Sequence, residues 1–106
     1  MGLLSFLFGK KLDYADLKSR KAAIIDVRSN TEYKAGHIKG SHNIPYHKID
    51  QKIAEIKKWN KPVILCCASG NRSSMAVRVL KSQGIECYNG GSWRKVQWNW
   101  IEPVKK

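Results

Sequence analysis

Pro62-Val63-Ile64-Leu65-Cys66-Cys67-Ala68-Ser69-Gly70-Asn71-Arg72-Ser73 is an apolar run that breaks, at a thiol, into a short polar loop. Residues 62–66 are apolar without alternation and rich in β-branched side chains, which predicts a strand buried in a parallel sheet. Beyond the loop, Met75, Ala76, Val79 and Leu80 recur at helical spacing and predict a helix whose apolar face packs inward. Cys67 therefore stands between strand and helix. In that setting successive backbone N–H groups converge and the helix start adds partial positive charge, both of which favour a thiolate over a thiol. Gly70 lets the backbone curl where a side chain would obstruct it. A serine serves as N-cap, and Arg72 brings a permanent charge with a forked donor pattern suited to a tetrahedral oxyanion.

Spacing separates two chemistries. Counted from Cys67, Arg72 follows after four intervening residues, and the loop is a six-residue cradle sized for a sulfur atom carried as a persulfide. Counted from Cys66, Arg72 follows after five, the spacing with which cysteine phosphatases enclose a phosphoryl group. Gly70 stands three residues after Cys67, and Cys66 continues the apolar strand and points into the core or a side of the sheet. The Cys67 register is favoured.

Four blocks in order then resemble the rhodanese (thiosulfate sulfurtransferase) family in its single-domain form. They are Asp26-Val27-Arg28 with Glu32-Tyr33, Gly36-His37-Ile38-Lys39-Gly40, Asn43-Ile44-Pro45, and the Cys-x-x-Gly-x-Arg-Ser pattern at Cys67, spanning about residues 22 to 92. The resemblance implies an α/β fold, a single rhodanese-like domain with a central, mostly parallel sheet flanked by helices on both faces. It also implies a catalytic Cys67 that cycles through a persulfide, with sulfur passing from thiosulfate or a related donor to a thiol or cyanide. A protein cysteine is a further acceptor. Ala68, Ser69, Gly70, Asn71, Arg72 and Ser73 would bind the anion, and no metal or organic cofactor is required. The chain departs from the family where Gly90-Gly91 is followed by Trp93 and Trp98 in different registers, and where Cys66 makes a vicinal pair that opens a side oxidation. Two other readings stand beside this one: a cysteine phosphatase or arsenate reductase using Cys66, and a non-catalytic protein-binding module.

Composition agrees with one domain. The chain has 106 residues, 42% hydrophobic, with no linker or repeat. A net charge of +12 implies attraction for small oxyanions, acidic proteins, nucleic acid or anionic lipid. Much of it is lysine on solvated faces, such as Lys48, Lys52, Lys57 and Lys58 opposite the stripe Ile49, Ile53 and Ile56. Without a basic run interleaved with aromatics, nucleic acid is not an expected partner. Cys66, Cys67 and Cys87 form neither a disulfide framework nor a zinc motif, which points to a reducing, cytoplasmic setting. Cys87, in Ile85-Glu86-Cys87-Tyr88, reads as a packed residue of a final strand. His37, His42 and His47 cannot share a helix face, so no metal site is built on them, and His37 reads as a turn residue bonded to nearby backbone.

The remaining elements follow from caps and apolar runs. Asp13 caps a first helix, Ala22 to Val27 make a buried strand, and Asn30 or Thr31 caps a short helix that stops at Gly36. Ile44 closes a short strand before Pro45, and a helix runs from about His47 to Trp59. Strands alternating with helices predict parallel pairing, with ligands beyond the carboxyl ends where Asp26 and Cys67 fall. Asp26 and Arg28 support the neighbouring loop, with Glu32 available to pair with Arg28. Residues 1–11 form an apolar and basic N-terminal segment, and residues 12–106 the domain. The apolar run in the segment is too short to span a bilayer. Peripheral membrane contact through its Phe and Leu residues with Lys10 and Lys11 is a less favoured reading than packing on this domain or on a partner.

Overall fold

The computed structural model describes residues 12–101, so the expectations for residues 1–11, membrane contact included, lie outside the described residues. Four strands, β1 (Ala23–Asp26), β2 (His42–Asn43), β3 (Val63–Cys67) and β4 (Cys87–Ser92), pair in the order β2-β1-β3-β4. Every pairing is parallel. The helices are α1 (Tyr14–Ser19), α2 (Asn30–Lys34), α3 (Ile53–Trp59), α4 (Asn71–Ser82) and α5 (Trp93–Ile101), with a 3-10 helix over Tyr46–Lys52 leading into α3. Among these residues no helix is long and apolar enough to cross a membrane.

β3 is buried over its whole length because both its faces are covered. Successive side chains of a strand point to opposite faces, and here they enter two separate cores. Val63, Leu65 and Cys67 join Ile25, Ile49, Ile56, Ala76, Leu80 and Cys87 under α3 and α4. Ile64 and Cys66 join Leu17, Ile24, Ile38 and Val96 under α1 and α5. The two thiols are adjacent in sequence and lie on opposite sides of the sheet.

Several expectations are corrected in detail. Ser29 caps α2, not Asn30 or Thr31: its side chain accepts from the Glu32 N–H while the Glu32 carboxylate accepts from the Ser29 N–H. That reciprocal pair is the Ser-x-x-Glu capping box. The stretch from His47 to Trp59 splits into the 3-10 helix and α3. On α4 the inward face is Ser73, Ala76 and Leu80, with Val77 beside it, whereas Met75 and Val79 are exposed. α5, for which the tryptophan registers gave no reading, buries Val96 and lays Trp93 and Trp100 on the second core.

A bulge lies in β4. Leu65 pairs with Asn89 but Cys66 pairs with Gly91, so Gly90 is the extra residue. It must be glycine for packing reasons, since a Cβ there would run into the Val96 side chain and crowd Ile64. Gly90→Ala is therefore expected to cost about 1–3 kcal/mol through overpacking. Urea denaturation would read this as a lowered midpoint with an unchanged slope.

Candidate active site

β3 ends at Cys67 and α4 begins at Asn71, leaving a three-residue turn between them. The turn closes because Gly70 takes φ +107°, in the left-handed region that side chains rarely enter. Gly70, not a serine, is the N-cap of α4, and it supplies no side-chain hydrogen bond. The first N–H groups of the helix thus have no side-chain cap, and one of them, that of Ser73, reaches the sulfur. Gly70 N–H donates to Cys67 Sγ at 3.0 Å and Ser73 N–H at 3.4 Å, with the Ser73 hydroxyl also 3.4 Å from Sγ.

Burial pushes the Cys67 thiol up, but hydrogen bonds from the Ser73 hydroxyl and from the N–H groups of Ser73, Gly70 and Ser69 outweigh it and hold the thiol below its ordinary range. Cys66 behaves oppositely. Burial, with Asp26 nearby, drives its thiol far above the ordinary range. Cys87, buried against the first core, is pushed up to about 11, burial being the main cause. One of three thiols is therefore poised to ionise. The vicinal oxidation of Cys66 with Cys67 is disfavoured as well, because joining thiols on opposite faces would require turning the end of β3 over.

Arg72 is ion-paired. Its two terminal nitrogens donate to the Glu32 carboxylate at 2.7 and 3.0 Å, a bidentate pair joining α4 to α2. The Arg72 guanidinium, with a backbone N–H bond from Ser29 as the next contribution, lowers Glu32 to about 2. Glu32 is thus the partner of Arg72 and not of Arg28. Arg28 instead grips Asp26 within the protein, its Nη2 at 2.8 Å from Oδ2 and its side chain 6% exposed. Arg28 also donates to the Gly36 carbonyl at 2.6 Å, and the Trp93 ring covers its guanidinium with 4.7 Å to the centroid. Asn43 closes the corner by donating to the carbonyls of Asp26 and Arg28, both at 3.0 Å. Asp26 and Arg28 thereby pin the loop beside the cradle and do not reach into it. His37 ring Nδ1 lies 2.8 Å from the Tyr33 carbonyl, and the two rings stack.

Of the six residues from Ala68 to Ser73, the first three make the turn and the last three open α4, and the hydrogen bonds to Sγ come from Gly70 and Ser73. Asn89 was missed. Its amide touches Gly70, Ser73 and Gly91 at once, and a lone asparagine next to two glycines reads as a turn residue in sequence.

A sequence profile of the Rhodanese-like domain family matches residues 12–96. YqhL of Bacillus subtilis is 44% identical over 71 residues, covering 66% of this chain and 56% of YqhL. Thiosulfate sulfurtransferase GlpE of Pseudomonas fluorescens is 35% identical over 69 residues, covering 65% of this chain and 62% of GlpE. The matched stretch thus spans little more than half of these relatives. Among solved structures, the human single-domain sulfurtransferase TSTD1 superposes with a TM-score of 0.63 at 27% identity, covering 86% of this chain and 90% of that one. With an all-parallel α/β sheet, a thiol hydrogen-bonded by the N–H groups of Gly70 and Ser73, and this profile match across most of its length, the chain belongs to the rhodanese-like domain family.

Proposed function

We propose that the protein is a sulfurtransferase that moves a sulfane sulfur from thiosulfate or a related donor to a thiol or cyanide acceptor through a persulfide on Cys67. The observation that carries this reading is the hydrogen bonding of Sγ by Gly70 and Ser73, which favours the thiolate at the one thiol facing the loop. Cys67 is 1% exposed, so a donor must approach with a single atom leading. A terminal sulfur suits that opening better than a phosphoester. The likeness to GlpE and to TSTD1 supports the same class of chemistry.

In the first half-reaction the Cys67 thiolate attacks the outer sulfur of thiosulfate, the S–S bond of the donor breaks, and sulfite leaves with the electron pair. The new terminal sulfur carries the negative charge. The N–H groups of Asn71 and Arg72, which make no hydrogen bond to Sγ itself, stand in the first turn of α4 and are available to it. An acceptor nucleophile then takes that sulfur and Cys67 returns as thiolate. The net charge of +12 speeds encounter with dianionic donors, and three free thiols suit a reducing, cytoplasmic setting. The phosphatase alternative would need Cys66, which is wholly buried with its thiol pushed up.

Incubation of the reduced protein with thiosulfate should add one sulfur atom, mapped by peptide mass to Cys67. Cys67→Ser should abolish the adduct and the transfer to cyanide, while Cys66→Ser keeps most activity. Sulfur on Cys66 or Cys87 would overturn the assignment.

Because Cys67 sits below the ordinary thiol range, its rate of loading should rise with pH and level off at a lower pH than loading of an ordinary thiol. Stopped-flow loading across a pH series reads the midpoint. A midpoint at or above that of a free cysteine would remove the electrostatic basis of the mechanism.

Pairing with Glu32 diverts Arg72 from the anion and makes it a brace between α2 and α4. Arg72→Ala should then slow an anionic and an uncharged sulfur donor alike. Glu32→Gln, which frees the guanidinium, should lower KM for thiosulfate by roughly two- to tenfold, each tenfold being about 1.4 kcal/mol. A selective loss of thiosulfate binding in Arg72→Ala would instead put the guanidinium on the anion.

A further inference from the structure

Asn89 faces Gly91, Gly70 and Ser73 with opposite ends of one amide. Its Oδ1 accepts the Gly91 N–H at 2.9 Å, and its Nδ2 donates to the Gly70 carbonyl at 3.1 Å. These partners fix the orientation of the amide, since the Gly91 N–H can only donate and the Gly70 carbonyl can only accept. Oδ1 therefore has no proton, and in its 2.7 Å contact with Ser73 the hydroxyl must be the donor. The Ser73 side chain is fully buried and has one proton for two acceptors: Asn89 Oδ1 at 2.7 Å and Cys67 Sγ at 3.4 Å. While that proton points to Asn89, the hydroxyl presents a lone pair to the sulfur. That arrangement accepts from an S–H and disfavours an anion.

We propose that Asn89 is a positioning residue for sulfur transfer at Cys67: in the thiol state its Oδ1 holds the Ser73 O–H turned away from the sulfur, and when the anion forms it releases that hydrogen bond so that the O–H points to Sγ, the proton staying on the Ser73 oxygen. On ionisation the S–H proton leaves to solvent, the Ser73 O–H turns from Oδ1 to Sγ, and no bond other than the S–H breaks. Asn89 keeps its bond from Gly91 throughout, so the β4 bulge stays intact while the hydroxyl turns. The inference rests on the reading that Cys67 is the reacting thiol. It adds that a residue of β4 governs how many donors that thiol has in each state.

The charged and titratable groups around Cys67 are Arg72 on α4 with Glu32 on α2, the Asp26–Arg28 pair at the end of β1, Cys66 beside it on β3 and Cys87 on β4. All are unchanged in the variants that follow. The ultraviolet absorbance of the thiolate, titrated against pH with the Cys67→Ser trace subtracted, reports the midpoint without any need for a reagent to enter the cradle. Asn89→Ala should lower that midpoint by roughly half a pH unit or more, because the Ser73 proton is then free for the thiolate. In a Ser73→Ala background the same substitution should lose this effect. A midpoint that rises or stays put in Asn89→Ala, or a fall that persists without Ser73, would overturn the proposal in favour of a plain loop clamp. Should Asn89→Ala fail to fold, Asn89→Asp keeps the acceptor and strengthens it. Its midpoint should rise, and by more with Ser73 present than in Ser73→Ala, whereas equal rises would sink the idea. Failure of thiosulfate to load the unmodified protein would remove the sulfurtransferase reading while leaving this titration readable.

Discussion

The chemistry at Cys67 depends on the way β3 stops. A strand covered on both faces ends at a residue whose side chain lies on the α4 side, and the next helix must start within three residues. Such a turn closes when one residue accepts a left-handed backbone, and Gly70 at φ +107° is that residue. Its lack of a side chain has a second effect. No capping oxygen competes for the N–H groups at the start of α4, so the sulfur receives what a serine or aspartate cap would ordinarily take. The same bonds that order the turn thereby favour the anion. The folding requirement and the reactivity of the thiol have one origin.

Around this turn the polar groups are paired with each other before any substrate arrives. Arg72 is satisfied by Glu32, Arg28 by Asp26 and the Gly36 carbonyl, and Asn89 by three partners. Cys67 Sγ receives its backbone hydrogen bonds from the N–H dipoles of Gly70 and Ser73, and none from a charged side chain. Those dipoles are fixed by secondary structure and need no reorganisation when charge develops.

What was legible in the sequence had short range. The apolar run 62–66 and the loop that follows identify β3, the thiol at its end and the start of α4, because burial on both faces and a Gly turn leave local marks. Asp13 as a cap and the inward isoleucines of α3 were legible for the same reason. Long-range pairing was not. Glu32 and Arg72 lie forty positions apart, and Glu32 had a nearer cation in Arg28; only the fold, which turns Arg28 onto Asp26 and brings Arg72 beside Glu32, decides between them. The Ser29 cap was overlooked although the Ser-x-x-Glu signature is present in Ser29-Asn30-Thr31-Glu32. The α5 helix was overlooked although Trp93, Val96 and Trp100 recur at helical intervals. Asn89 leaves no sequence signal, because its role arises where a bulge in one strand meets a loop from another.

The sheet also bears on how copies of the protein meet. An open parallel sheet has two edges, each a row of unpaired N–H and C=O groups that another chain could extend. Here β2 is two residues long and Pro45 follows soon after it, too little ladder to recruit a neighbour. On the other side β4 is interrupted by the Gly90 irregularity and runs straight into α5, which breaks the flatness a foreign strand would need. Among the described residues the sheet therefore offers a neighbouring copy little ladder to extend, and the Gly90 bulge that packing requires also blunts an edge.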